Sequence, residues 1–430
     1  MKKECIAMIF ADGREAGLGA LTDCLAKSAV FYGGSRRIMD FTLDNCRRSG
    51  IDAIGILTQD SSGGLYSCIG GDREWSSPVW GRNLFMLSPA EKAGEYGSAA
   101  DALFRNTGFM EQFDPEYVCV LSGEHIYRMD YARMLDAHKK TGGDMTIAVL
   151  PAPFSEARRR EILDVDEDGA ILGFRETPGG TRNNLTPMGV YIFNWRALRE
   201  YLSTAGKYPA ARNDFCEDVV PALLNRGKRL GAYRFDGYWR NVRTVEDLWA
   251  SNMDLVRDPP EFSLQEEGEK IIDSSHQPFY MIKGEGVVRR SILSGLCSVF
   301  GKVERSVLSD SVVVEEGAEV TESILMPNVY VGKNAKVHKA IVAPNARLMN
   351  DVEIGMEDGA DDFVSGCLCT NGVSLIGAWV HVAEGTALQK NSHVDNGLFV
   401  SKSSSRRVSV TRAAGAAPAL EMTLQGSSSD

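Results

Sequence analysis

The 430-residue chain is 43% hydrophobic and 24% charged, an ordinary globular composition with room for two or three domains and no sign of disorder over most of its length. Its net charge of −11 disfavours general binding to nucleic acids or anionic membranes, though a local basic pocket can still take a small anion. No segment approaches the ~18 apolar residues of a membrane span, and the run after Met1-Lys2-Lys3-Glu4 is too short for a signal peptide. Nine scattered cysteines include no C-x₂-C pair, so reduced thiols, no zinc and a cytoplasmic location are expected.

The chain opens with the apolar run Cys5–Phe10, which breaks into the turn Ala11-Asp-Gly-Arg-Glu-Ala-Gly-Leu18. That layout is a buried strand feeding a phosphate-cradling loop, yet Asp12 and Glu15 put carboxylates into it. Further strands are expected at Ile51–Leu57, Tyr117–Leu121 and Met145–Leu150, separated by helices around Leu43–Gly50, Ala99–Phe109 and Tyr131–Lys140. The alternation, up to residue 257, predicts a mostly parallel, doubly wound α/β sheet with ligands beyond the carboxyl ends of its strands. The turns at Gly13 and at Gly123-Glu124-His125 both fall there.

Residues 258–280, which open Asp258-Pro-Pro-Glu261, read as a linker. Beyond them the period changes: Ile376, Val382, Leu388 and Val394 recur every six residues, and weaker copies start at Val314, Val331 and Val342. A six-residue period predicts a parallel β-helix over 281–400, each hexad forming one side of a coil. Ordinary antiparallel strands repeat every ~8–12 residues. The Ser/Ala-rich tail 401–430, with Arg406-Arg407-Val408-Ser409, is expected to be disordered.

At Gly123-Glu-His-Ile-Tyr127, Met188-Gly-Val-Tyr-Ile-Phe193 and Gly237-Tyr-Trp-Arg-Asn-Val242 the chain resembles bacterial ADP-glucose pyrophosphorylase (glucose-1-phosphate adenylyltransferase), in order and spacing over about residues 1–400. The resemblance implies a nucleotidyltransferase domain over 1–257 that joins ATP and glucose 1-phosphate into ADP-glucose and pyrophosphate for glycogen synthesis. It further implies a left-handed parallel β-helix over 281–400 that helps build a tetramer and houses effector sites at its junction with the first domain.

Where the family's nucleotide loop reads L-A-G-G-x-G-x-R-L, this chain has Phe10-Ala-Asp-Gly-Arg-Glu-Ala-Gly-Leu18. Gly13 is kept, Asp12 and Glu15 replace glycines, and Gly17 stands where the phosphate-binding arginine belongs. A Cβ at a phosphate-cradling glycine blocks the close approach of the backbone. Each carboxylate would also repel a phosphate by ~4 kcal/mol at ~4 Å and an effective dielectric of ~20. Lys27 matches the family's A-K-P-A-V lysine, and Tyr96 is kept from W-Y-x-G-T-A-D-A, whose Gly-Thr is here Ser98-Ala99.

The resemblance places two Mg²⁺-binding aspartates at positions 124 and 241, where this chain has Glu124 and Asn241, with Arg243 for the following glycine. In the sugar-phosphate site, Glu161 replaces a glycine, Thr177 the lysine of E-K-P, and Pro187 the serine of S-M-G, while Glu176 and Gly189 remain. The replacements concentrate on ligand loops and leave strands and hexads readable. The expectation is therefore a catalytically degenerate, non-catalytic subunit with no cofactor, assembling with an active paralogous subunit or with itself and open to a small-molecule effector. The alternative is an active adenylyltransferase that uses Mg²⁺ and puts Glu124, Lys27 and Arg14 in rearranged roles. A β-helix acyltransferase is disfavoured, because the hexads carry no acceptor-site signature of their own.

Overall fold

The computed structural model describes residues 2–11, 16–23, 25–59, 65, 84–89, 94–151, 162–175, 184–205, 215–264, 280–356, 371–402 and 408–412. They fall into two compact units, one made of 1–13 and 38–241, the other of 14–37 and 242–430. This partition differs from a division at 257: the segment after the first strand and the helix that ends at Val256 both group with the β-helix. The reason is local bonding, since Ser309 donates its hydroxyl to the carbonyl of Gly34 at 2.6 Å and Asn396 its amide to that of Ala20 at 2.8 Å.

The first unit is built on a nine-stranded sheet of β1 (Cys5–Phe10), β2 (Ile54–Leu57), β3 (Leu84–Leu87), β4 (Tyr117–Ser122), β6 (Met145–Pro151), β7 (Ile162–Val165), β8 (Ile171–Arg175), β9 (Leu185–Asn194) and β10 (Leu230–Arg234). Its order is β8-β7-β9-β4-β1-β2-β3, with β6 pairing both β9 and β10. β1, β2, β3 and β4 run parallel, as the βαβ rhythm predicts, and Ile6 to Ile9 are fully buried, as both faces of a covered parallel strand must be. β9 is antiparallel to β4, β6 and β7, so the sheet is mixed.

Helices α1 (Ile38–Arg48), α2 (Ala99–Arg105), α3 (Thr107–Glu111), α4 (Tyr131–Thr141), α5 (Trp195–Ala205) and α6 (Phe215–Leu224) belong to this unit. The single helix expected over Ala99–Phe109 is interrupted at Asn106, whose side-chain amide bonds back to the carbonyl of Ala102. α4 is bounded by its own residues: Asp130 accepts from the N–H of Ala132, and Gly142 ends the helix at a φ of 59°. A two-stranded ribbon of β5 (His125–Tyr127) and β11 (Trp239–Asn241) lies off the sheet.

The second unit carries helix α7 (Val245–Val256) and a parallel β-helix. Three parallel sheets share each coil, and their inward residues stack one per coil. Val299, Val314, Val331, Leu348, Val382 and Val400 form one such column, all fully buried and paired in register. The hexad residues Ile376, Val382, Leu388 and Val394 take successive sides of the last coils and are no more than 2% exposed. Within the tail, Val408–Arg412 pairs antiparallel with Leu398–Lys402 at the end of one sheet, and residues 403–407 and 413–430 lie outside the described residues. The alternation of Val408, Ser409, Val410 and Thr411 is strand-forming in a way that bulk Ser/Ala content hides.

Candidate functional site

In the first unit, β4 delivers the chain to Ser122, and Gly123 turns it by donating its N–H to the carbonyl of Phe10 at 2.8 Å. Thr42 on α1 donates to the carbonyl of Ser122 at 2.9 Å, and Asn45 accepts from the N–H of Met129 at 3.1 Å. α1 therefore pins both flanks of the turn that presents the half-buried Glu124. Beneath it, Tyr127 and Tyr131 share a hydroxyl hydrogen bond of 2.6 Å. Burial pushes the Tyr127 phenol far up, against the opposing bonds from Tyr131 and Thr42, so the pair stays neutral.

β5 and β11 pair antiparallel and set Asn241 opposite His125. The ring of Trp239 meets that of His125 edge-on, with centroids 5.1 Å apart. Gly189 lies against the same imidazole at a φ of 70°, and a Cβ there would sit 2.7 Å from Cε1 of His125. Both conformation and space demand glycine. Pro187 pairs with Val149 at the point where the β9–β6 register shifts, a bulge position that tolerates a missing N–H. Glu124, Asn241 and Gly189 thus adjoin His125, as its chain neighbour, its strand partner and its packing contact, a residue that sequence reasoning quoted without giving it a role. Oδ1 of Asn241 is buried and accepts no hydrogen bond among the described residues.

Tyr96 is fixed by other means. Its N–H donates to Oε1 of Gln59 at 2.7 Å, and its carbonyl accepts from Nε2 of the same side chain at 2.9 Å. Its hydroxyl donates to the carbonyl of Leu87 at 3.3 Å and accepts from Asn106 at 2.9 Å. Neither Gln59 nor Asn106 was legible, because a side-chain amide clamp leaves no period in a sequence.

In the second unit, Gly17 lies in a 3₁₀ turn over Ala16–Leu21. A Cβ on it would sit 2.2 Å from the carbonyl oxygen of Arg243. The N–H groups of Arg243 and Thr244 both donate to Asp247, at 3.1 and 3.0 Å, and Asp247 donates its own N–H to the hydroxyl of Thr244, the capping box that starts α7. Lys27, in the 3₁₀ turn Lys27–Ala29, is only 1% exposed. Asp12, Gly13, Arg14, Glu15, Glu161, Glu176, Thr177 and Pro178 lie outside the described residues.

The donor set does not fit a Mg²⁺ site built on two carboxylates. Glu124 supplies one carboxylate and Asn241 a neutral oxygen, a weaker ligand for a hard cation. Among the described residues no group of three or more His, Cys, Asp or Glu side chains is placed to share an ion. The described cysteines 5, 46, 119, 216 and 297 are free thiols, and no described helix is long and apolar enough to cross a membrane.

The nucleotidyl transferase family profile matches residues 6–258, and that of the GlmU-like C-terminal hexapeptide matches 279–376. A glucose-1-phosphate adenylyltransferase of Acetivibrio thermocellus is 38% identical over 398 residues, 92% of this chain and 93% of that protein. Enzymes of the same name from Bacillus cereus and Bacillus mycoides are each 42% identical over 325 residues, 75% of this chain and 86% of theirs.

Proposed function

The chain belongs to the glucose-1-phosphate adenylyltransferase family of nucleotidyl transferases, its β-helix being the left-handed hexapeptide type, and on that premise we propose that it is a non-catalytic, regulatory or structural subunit in the route to glycogen. The observation that carries this reading is Asn241. A neutral amide stands where the resemblance calls for the second metal-binding aspartate, and its oxygen is buried without a hydrogen bond among the described residues. The loss of formal charge weakens any hold on a metal that must neutralise transferring phosphates. Scaffold and activity are separable, so a decayed reaction centre leaves subunit interfaces usable.

The partner under this reading is an active paralogous subunit or a second copy of the chain, in the cytoplasm. A small-molecule effector would act through differential binding to the states of the assembly. The second reading, an active enzyme making ADP-glucose and pyrophosphate, is favoured by the 38% identity across 92% of the chain.

A pyrophosphate-release assay with ATP, glucose 1-phosphate and Mg²⁺ separates the two. The purified chain is expected to give negligible product, and Glu124→Asp with Asn241→Asp is expected not to restore it. Coexpression with an active paralogue is expected to give a mixed oligomer with an altered effector response. Turnover by the chain alone in the ~1–10³ s⁻¹ range of ordinary enzymes would overturn the non-catalytic reading.

A further inference from the structure

Three thiols gather beside the first strand. Cys5 opens β1, and Cys119 lies in β4 opposite Ala7, two residues along from the partner of Cys5. That offset of two puts both side chains on one face of the sheet, and their sulfurs are 3.5 Å apart. Cys46 on α1 is near enough for its thiol to feel Cys5. All three are free.

The three are not equivalent. Cys46 and Cys119 are buried, whereas Cys5 is half-buried and lines a cleft of about 350 Å³ with Lys3, Ile51, Tyr131 and Leu135. This cleft adjoins the amino-terminal end of β1, the end opposite the Phe10 carbonyl that holds the Gly123 turn. Cys5 donates its S–H to the carbonyl of Ile6 at 3.7 Å, which leaves its sulfur to accept the S–H of Cys119. That bond, and burial after it, raise the Cys119 pKa well above the usual thiol value, so Cys119 keeps its proton.

A dithiol with one member open to small molecules and the other buried in contact with it suits oxidation in two steps. We propose that Cys5 and Cys119 form an oxidisable pair, in which Cys5 is the sulfur that a peroxide modifies and Cys119 the one that closes an intramolecular disulfide with it. The Cys5 sulfur takes one oxygen of hydrogen peroxide as the O–O bond breaks, giving a sulfenic acid and a water. The Cys119 sulfur then bonds to that of Cys5, and its proton leaves with the sulfenic hydroxyl as a second water. The two thiols lose two electrons in all, which the peroxide oxygens gain. Closing from 3.5 Å to the ~2.05 Å of a disulfide asks ~1.5 Å of the two side chains. The bond would tie β1 to β4 through residues 114 apart in sequence, whether or not the chain turns over a substrate, and so goes beyond the non-catalytic reading.

Peptide mapping of the full chain tests the inference, after brief exposure to hydrogen peroxide and blocking of the remaining thiols with N-ethylmaleimide, with digestion in the absence of reductant. The expected product is a linked pair of peptides carrying Cys5 and Cys119, lighter than their sum by two hydrogens and released by dithiothreitol. Maleimide labelling of Cys5 should be lost with the link and return with the reductant. In Cys119→Ala, Cys5 should stop at the sulfenic acid and be captured by dimedone; in Cys5→Ser, Cys119 should stay reduced. Circular dichroism checks that both variants fold, and the map of the unmodified chain depends on neither. A Cys5 that stays a thiol, that is oxidised without linking to Cys119, or that links to Cys46 or another cysteine overturns the inference, as does oxidation of Cys119 in Cys5→Ser. None of these outcomes bears on turnover, so the non-catalytic reading stands or falls by its own assay.

Discussion

Trp249 on α7 donates its indole N–H to the carbonyl of Glu322 at 2.6 Å, with the ammonium of Lys339 lying 4.9 Å from the indole centroid. Both partners occupy turns of the β-helix at positive φ, 48° for Glu322 and 47° for Lys339. One aromatic ring therefore clasps two successive coils to the helix that precedes them.

Trp249→Phe keeps a ring but removes the donor and weakens the cation–π contact. Together these cost about 1–2 kcal/mol. The expected readout is a lower urea midpoint with an unchanged m-value. An unaltered midpoint would mean that the clasp contributes nothing to stability.

Gly189→Ala is expected to be worse than its single methyl suggests. The new Cβ meets the His125 ring at 2.7 Å, and the backbone is held at a φ of 70° that alanine disfavours. A loss of about 2–4 kcal/mol is expected from overpacking and left-handed strain together. Denaturant unfolding checks it, and His125→Ala in the same chain should recover the steric part.

A pH dependence follows from His138, whose ring is 1% exposed and whose Nδ1 lies 2.7 Å from the hydroxyl of Thr146. Burial lowers its pKa below the usual histidine value, against smaller opposing pulls from Asn194 and Asp144. The unfolded chain therefore binds the proton more readily between the lowered pKa and ~6.5. Stability is expected to fall as pH drops through that window and to be indifferent to this group above it. His138→Gln should flatten that part of the stability curve; an identical slope in both proteins would refute the assignment.

Much of the fold was readable because burial imposes a period. The runs Cys5–Phe10 and Met145–Leu150 are almost continuously apolar, which is what a strand covered on both faces requires, and the hexads of the β-helix repeat because every side of every coil needs one inward residue. The antiparallel entry of β9 was not readable, since a buried strand looks alike in either direction. At the candidate site, Glu124 and Asn241 were found through the resemblance of their segments to the family's motifs. The packing of the His125 imidazole on Gly189 was not, because it is a contact between segments far apart in sequence.

One corner of the β-helix stacks Ser311, Asn328, Asn345 and Trp379, all at φ between 59° and 63°, and the amide of Asn328 donates to that of Asn345 at 3.1 Å. Tryptophan is the misfit: it is 64% exposed and in a conformation that asparagine tolerates far better. Trp379→Asn should therefore raise the thermal midpoint, by about 0.5–1 kcal/mol in stability. A lowered midpoint would show that the indole makes a contact whose loss outweighs the strain.

The β-helix keeps its stack across residues 357–370, since Ile341 pairs with Leu375 and Arg347 with His381 as other coils pair with their neighbours. Alignment is set by the coil beneath and not by the length of chain between two coils. Closing a longer connection costs only about 0.6 kcal/mol per doubling of its length. The pitch of the solenoid is accordingly written in its stacked columns, so that a change in the number of residues between two coils should leave those coils zipped together in the same register.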